Sequence, residues 1–509
     1  MHTADRDRRL TWVYVAVLAA VSFLSRLPQL SSPHLLLDGD ECILGLMSKH
    51  IVEGRAAPVF LYGQTYGLAI VESSAVALSF LIAGTGVLQL KLAMLALWSV
   101  GIAAYFVAVA RLLGNSRSFW ITLALVLMPA WAVASTKAWS GYVTAFTAAA
   151  VLLNLLTLDR GRPRAAVWLA AGGVTATVYL AQPLWVPGML PIVAFVLLAH
   201  FRRSFAVLYL AGITAVLLAV KLSAARILYS YWTLPAIGNR KLFESWPALF
   251  EQLHVNLTGS YYLWFGLDPG PATAAAGHVW LGVLAAALLR QLHRLISRTY
   301  LLWSHVLFIS VMFTLGANWL LLEGRDGRYL LPLSALLVLW AGVEICDLID
   351  RRIVSRRACA AAIACAIALQ AVAMIEFRNY SYFDKPPLKG SSEAKMMDHV
   401  TGYMGMKGVR HAFSLHALLQ WQLAFYSKEA VVARWVNRAD RYPPYVVAVD
   451  RALQDGETVA LVGYADATGG LEKLVADPKA IVIIDGKYFV YVGPDKALLR
   501  RLGFRITNH

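Results

Sequence analysis

The chain has 509 residues, 59% hydrophobic and only 15% charged, with a mean hydropathy of +0.59, whereas a soluble protein carries about a quarter charged residues. This excludes a cytosolic enzyme, a disordered chain and a collagen-like repeat, and four cysteines (Cys42, Cys346, Cys359, Cys365) without a CxxC spacing argue against a disulfide scaffold or a thiolate metal site. The excess of 46 Lys and Arg over 30 Asp and Glu falls in short clusters between apolar runs, which is the pattern of membrane-loop anchors rather than of nucleic-acid binding.

Apolar runs of roughly 17 to 24 residues, enough to cross a ~30 Å hydrocarbon core, recur from residue 11 to about 376. The first, 11 to 30, is interrupted by Arg26 and Pro28 and lacks a small-residue cleavage site, so it is not read as a signal peptide. The others fall near 67 to 84, 88 to 110, 118 to 135, 140 to 158, 165 to 182, 184 to 200, 204 to 223, 277 to 290, 300 to 322, 329 to 348 and 357 to 376. Basic clusters at Arg6 to Arg9, Arg111 with Arg117, Arg160 to Arg164, Arg202 with Arg203, Arg290 to Arg298 and Arg351 to Arg357 should be cytoplasmic. Twelve full spans violate that bias. Eleven satisfy it if the 67 to 84 run stays in the outer leaflet, although a misjudged span elsewhere restores the parity equally well.

The expected protein is therefore an all-α polytopic membrane protein of about 11 to 12 transmembrane helices, N-terminus inside. Residues 1–376 form the membrane domain, with 31–87 as an outer-face segment and 224–275 as a long outer loop. From Glu376 onward, apolar runs shrink to strand length, as in Thr458 to Val462 and Ala480 to Ile484, between helical stretches such as Ser392 to Met406 and Asp495 to Leu502. Residues 377–509 read as a small extracytoplasmic α/β domain.

In chain order, Asp38, Asp40 and Glu41 directly follow the first span and precede an amphipathic run from Ile43 to Val52 that ends at Gly54. One of these acids suffices to cap a helix and another suits its first turn. Three at a membrane surface also suit a general base toward a hydroxyl, or ligands for a divalent cation. His50 reads as a surface histidine. Tyr62, Gln64 and Tyr66 form either an aromatic belt or part of a site. Glu72 lies in an apolar run, where a charge must face protein or a water-filled cavity. Lys137 reads as solvated when taken alone. Tyr142 and Gln182 either line a polar cavity or are satisfied helix ends. Arg325, Arg328 and Tyr329 sit on the expected outer side against the positive-inside bias, either as interface anchors or because a guanidinium grips an anionic lipid head. No HExxH, P-loop or nucleophile elbow occurs.

Leu37-Asp38-Gly39-Asp40-Glu41 through Gly45-Leu46-Met47, His50-Ile51 and Gly54, then Tyr62-Gly63-Gln64-Thr65-Tyr66-Gly67 and Glu72, resemble the first outer loop of bacterial C-type-fold (GT-C) glycosyltransferases. These are relatives of protein O-mannosyltransferases and of lipid A aminoarabinose transferases. Arg328-Tyr329-Leu330-Leu331-Pro332 is similar to an element that begins a late span in that family. His416 to Arg434 with Arg441-Tyr442-Pro443-Pro444-Tyr445 resembles a stretch after the last span of some members. The resemblance implies inverting transfer of a monosaccharide from a polyprenyl-phosphate carrier to a glycan, lipid or protein acceptor outside a bacterial inner membrane. It makes Asp40 the acid of the site with Glu41 beside it, and puts Arg328 near the carrier phosphate. Gln182 stands where many members carry His or Lys. The rival classes are a transporter or carrier flippase, favoured by the charges Glu72, Lys91, Lys221 and Glu344 within apolar runs, and a polysaccharide polymerase or ligase.

Overall fold

The computed structural model describes residues 2–506 except 56, 65–66, 159–163, 200–202, 227–244, 300, 322–326, 384, 387, 391 and 437–440. Among the described residues, seven apolar segments are long enough to cross a membrane: Arg9–Leu30, Val87–Leu113, Arg203–Ser223, Pro271–Ser297, Leu302–Trp319, Gly327–Asp350 and Arg356–Asn379. Four shorter apolar helices, Ala69–Ala83, Tyr142–Leu158, Ala165–Ala181 and Pro183–Ala199, pack among them. The 15 residues of Ala69–Ala83 rise about 22 Å at ~1.5 Å per residue, short of a full hydrocarbon core.

Local chemistry explains the breaks. Helix His2–Leu24 stops before Arg26, whose side chain turns into the bundle: Nε donates to Ser135 Oγ (3.1 Å), Nη2 donates to Trp131 O (2.8 Å), and the guanidinium lies over the Trp98 ring. The run expected as one span at 118 to 135 is two helices, Asn115–Val126 and Pro129–Ala134. Pro129 has no N–H to continue the ladder and drives Met128 to an extended conformation (φ −66°, ψ 135°), which hydropathy alone does not register. The long outer loop expected at 224–275 carries a 20-residue helix, Trp246–Phe265, hidden in the sequence because Glu251, Gln252, His254 and Asn256 dilute its apolar character.

The C-terminal α/β domain has a five-stranded mixed sheet, β1 His411–Ser414, β2 Val432–Trp435, β3 Val459–Tyr464, β4 Ile481–Ile484 and β5 Tyr488–Val492, in the order β2-β1-β3-β5-β4. β1 is parallel to β2 and β3, while β5 is antiparallel to β3 and β4. Strand alternation sends Ala412, Ala433, Ala460, Val462 and Val490 into one core with Met397, Met404, Leu419 and Leu423. Phe413, Leu461 and Phe489 form the other with Val449, Leu498 and Phe504.

Helix Leu419–Tyr426 joins the two parts of the chain. Its Leu419 and Leu423 enter the sheet's core, and its Trp421, Ala424 and Phe425 enter the core of the helical bundle. It lies on helix Gly39–Val52 at two glycines: a Cβ added at Gly39 would sit 2.5 Å from Leu418 Cβ, and one at Gly45 would sit 2.5 Å from Phe425 Cε2. The helix expected to float at the membrane interface is therefore covered, with Ile43, Leu44, Leu46 and Met47 fully buried.

Candidate active site

Asp38 caps helix Gly39–Val52. Its Oδ1 accepts from Glu41 N (3.0 Å) and Glu41 Oε2 accepts from Asp38 N (3.2 Å), a reciprocal capping box. The box holds both carboxylates toward two buried lysines. Lys91 Nζ donates to Glu41 Oε1 at 2.5 Å, and Lys137 Nζ donates to Glu41 Oε2 at 2.8 Å and Asp38 Oδ2 at 3.1 Å. Ala138 N adds a bond to Glu41 Oε1 (3.2 Å), so each Glu41 oxygen accepts two donors and the side chain is fully buried. Two anions and two cations balance, which is what makes such burial tolerable. The solvated Lys137 expected from sequence is instead buried and paired, because its partners lie about a hundred residues upstream.

Asp38 Oδ2 also accepts from Trp139 Nε1 (3.2 Å) and Tyr382 OH (2.7 Å). Burial works to raise the Asp38 pKa, but Lys137, the Glu41 N–H, Tyr382 and Lys91 outweigh it and hold the carboxyl well below the usual carboxylate range. Burial and the neighbouring Asp38 charge push the Tyr382 phenol far up, so it stays a donor. Trp139 and Tyr382 stack at 5.5 Å between centroids. The Arg328 guanidinium lies over the rings of Trp139, Tyr142 and Tyr329 at 5.6, 5.9 and 5.3 Å, so the late-span arginine and the first-loop acids share one aromatic wall.

Asp40 differs from its neighbours. Its side chain is 34% exposed, and Oδ1 accepts from Arg441 Nη1 of the C-terminal domain at 3.0 Å. A cavity of about 320 Å³ opens beside this corner, lined by Asp38, Tyr382 and Lys385 on one side and Leu418, Gln422 and Tyr464 of the C-terminal domain on the other.

Other expected site residues lie elsewhere. Tyr62 is fully buried, its hydroxyl 2.7 Å from His50 Nδ1 and its ring against Tyr442, so it belongs neither to a headgroup belt nor to the open cavity. His50, read from sequence as a surface residue, is also fully buried. Its Nε2 is 3.1 Å from Glu429 Oε1. Glu429 gathers Lys49, Arg55 (2.9 Å) and the Tyr445 hydroxyl (2.7 Å) as well. Burial opposes ionisation of Glu429, but the bonds from His50, Lys49 and Tyr445 prevail and lower its pKa. Glu72 is buried and accepts from Thr144 N and Oγ1, both at 3.2 Å, apart from the Asp38 cluster. Gln64 is half-buried in the turn after Leu61. Gln182 ends helix Ala165–Ala181 and is half-buried. Tyr66 and Arg325 lie outside the described residues.

The oxygens of Asp38 and Glu41 are committed to lysine, backbone and ring donors, and among the described residues no group of three or more His, Cys, Asp or Glu is arranged to hold a metal. Sequence reading did not single out Trp139, Tyr382 or Glu429. Their sole signal is aromatic or acidic character next to the recognised segments.

No protein-family model matches the chain, and no curated protein matches it in sequence. Its fold does have solved counterparts. ArnT from Cupriavidus metallidurans bound to undecaprenyl phosphate superposes with a TM-score of 0.61 over 95% of this chain and 99% of its own, at 14% identity. The Archaeoglobus fulgidus oligosaccharyltransferase in complex with Zn and sulfate follows at 0.55, with 12% identity over 91% of this chain and 69% of that one. Both have the C-type glycosyltransferase fold, and this chain shares it.

Proposed function

We propose that the chain is an inverting glycosyltransferase that moves a monosaccharide from a polyprenyl-phosphate carrier to an acceptor hydroxyl on the extracytoplasmic face of a bacterial inner membrane. The observation that carries this reading is that Asp38 and Glu41 of the first loop meet Lys137, and share the Trp139 wall with Arg328, beside an accessible cavity and the exposed Asp40, in a C-type fold. The solved ArnT with undecaprenyl phosphate supports the carrier class.

The three acids divide the work. Glu41 has every oxygen filled and fixes the lysines. Asp38, held ionised, anchors Lys137, Trp139 and Tyr382 and is a weak proton acceptor. Asp40 is the base, since it alone combines exposure with spare acceptor capacity. The acceptor oxygen attacks the anomeric carbon as the bond from that carbon to the phosphate oxygen breaks, with inversion. Asp40 takes the hydroxyl proton, and the polyprenyl phosphate departs with the bonding electron pair. Arg328 holds that phosphate and stabilises its growing charge, while Lys137, whose three donors go to Glu41, Asp38 and Ser381, keeps the acids in place.

Three of the four charges that suited a transporter have partners within the fold, and the fourth, Lys221, is exposed. Lys91 pairs with Glu41, Glu344 with Arg294, and Glu72 with Thr144. The test is transfer of radiolabelled sugar from synthetic polyprenyl-phosphate sugars into membranes of a deletion strain, with purified wild type against Asp40→Asn. Transfer by wild type alone supports both reaction and base. Carrier exchange across liposomes by both proteins, without transfer, would replace the reading with a flippase.

A further inference from the structure

A second cavity lies away from this site. It has a volume of about 740 Å³ between helices Asn115–Val126, Pro271–Ser297, Leu331–Asp350 and Arg356–Glu376. Helix Leu331–Asp350 begins beside Arg328 and ends at the cavity's mouth, so its 20 residues set the two sites about 30 Å apart at ~1.5 Å per residue.

The cavity is amphiphilic along its length. Its walls include Trp120, Ile121, Val338 and Ala364, and its mouth carries Arg117, Asp350, Arg352 and Arg356. Val338 to Asp350 is about 18 Å of helix at ~1.5 Å per residue, close to the depth of one leaflet of a ~30 Å core. At the mouth, Arg117 takes up Asp350 through two bonds of 2.9 and 2.6 Å. Arg352 and Arg356 have no carboxylate partner among the described residues. Ser355, the N-cap of the 21-residue helix Arg356–Glu376, makes no side-chain capping bond and leaves first-turn amides open beside the two arginines. Three cations against one anion, open amides and an apolar channel below them complement a lipid with an anionic head.

We propose that this cleft binds one anionic glycerophospholipid. Its phosphate is held by Arg352, Arg356 and the first turn of Arg356–Glu376, and an acyl chain lies against Trp120, Ile121, Val338 and Ala364. The lipid thereby fills the gap between the last membrane helix and the bundle.

Native mass spectrometry of the delipidated full-length protein, titrated with phosphatidylglycerol or phosphatidylcholine, tests this without any transfer assay. One phosphatidylglycerol should be retained at about ten-fold lower concentration than phosphatidylcholine, as expected of two charge-assisted contacts. Arg352→Ala with Arg356→Ala, both exposed and outside any core, should bring phosphatidylglycerol down to the phosphatidylcholine level. Ala364→Phe should lower retention of both lipids. Equal retention of the two lipids by wild type, or an unchanged preference in the double variant, would overturn the proposal. So would displacement of phosphatidylglycerol by an equal amount of polyprenyl phosphate, which would make the cleft a carrier site.

Discussion

The helical bundle holds two buried charge clusters, one near each end, and they are built alike but serve differently. At the first, Asp38 and Glu41 meet Lys91 and Lys137. At the second, Glu344 and Asp347 meet Arg294 and Arg290, with Ser304 donating to Glu344 and Gln291. Both neutralise themselves, as burial demands. The second tethers three helices to one another. The first adds an aromatic wall carrying Arg328, a cavity shared with the C-terminal domain, and an exposed neighbour, Asp40, bonded through one oxygen. The second's exposed neighbour, Asp350, has both oxygens held by Arg117. Buried charge alone therefore marks architecture, and the proposed base, Asp40, is the carboxylate beside the first cluster that keeps unused acceptor capacity.

The sharpest way to break this contrast is at Asp40. Asp40→Asn should cut transfer about 100 to 10,000-fold while the melting temperature stays near wild type. Retained transfer would move the base elsewhere. Glu41→Gln should act the other way round, since it leaves two buried lysines under-compensated: a loss of about 3–5 kcal/mol in stability, read by thermal unfolding in detergent. Arg328→Lys keeps the charge but loses the forked donors, so donor-dependent transfer should fall on the order of a hundred-fold. An unchanged rate would place Arg328 outside the phosphate site. Glu344→Gln, in the second cluster, should lower the melting temperature yet leave transfer per folded molecule within about two-fold, as expected when no transition-state contact is lost.

The mildest effect comes with acid. Asp38 and Glu429 both have folded pKa values below their ordinary 3.8 and 4.5. A depressed carboxylate contributes stability that is complete above its unfolded pKa and is lost as pH falls through that value toward the folded one. Limited proteolysis should therefore find the C-terminal domain protected at neutral pH and increasingly cleavable as pH drops below about 4. Glu429→Gln should flatten that dependence.

Much of this was readable from the chain. The apolar runs, the strand-length pattern after residue 376 and the acids at 38 to 41 are local features that need no partner. What escaped reading is long-range. Lys137 looks like a loop lysine until Glu41, 96 positions away, is brought beside it. The polar edge of helix Gly39–Val52 reads as solvent-facing, and His50 with it, because the groups that cover it come from Glu429, 379 positions on. Pro129 was visible but does not alter mean hydropathy. Helix Trp246–Phe265 was hidden by the opposite effect, polar residues diluting a segment that packing, rather than composition, makes helical.

The contact between the two domains has a consequence for how this protein can be re-engineered. Lys428 and Glu429 both adopt left-handed backbone conformations (φ 53° and 69°), and that pair aims Glu429 at Lys49, His50 and Arg55 of the first loop. Gly39 and Gly45 provide the flat seat for the helix that precedes it. Lock and seat are thus encoded nearly four hundred residues apart. A foreign C-terminal domain grafted onto this bundle will dock only if the first loop is exchanged with it, so the two segments form a single transplantable module despite lying at opposite ends of the chain.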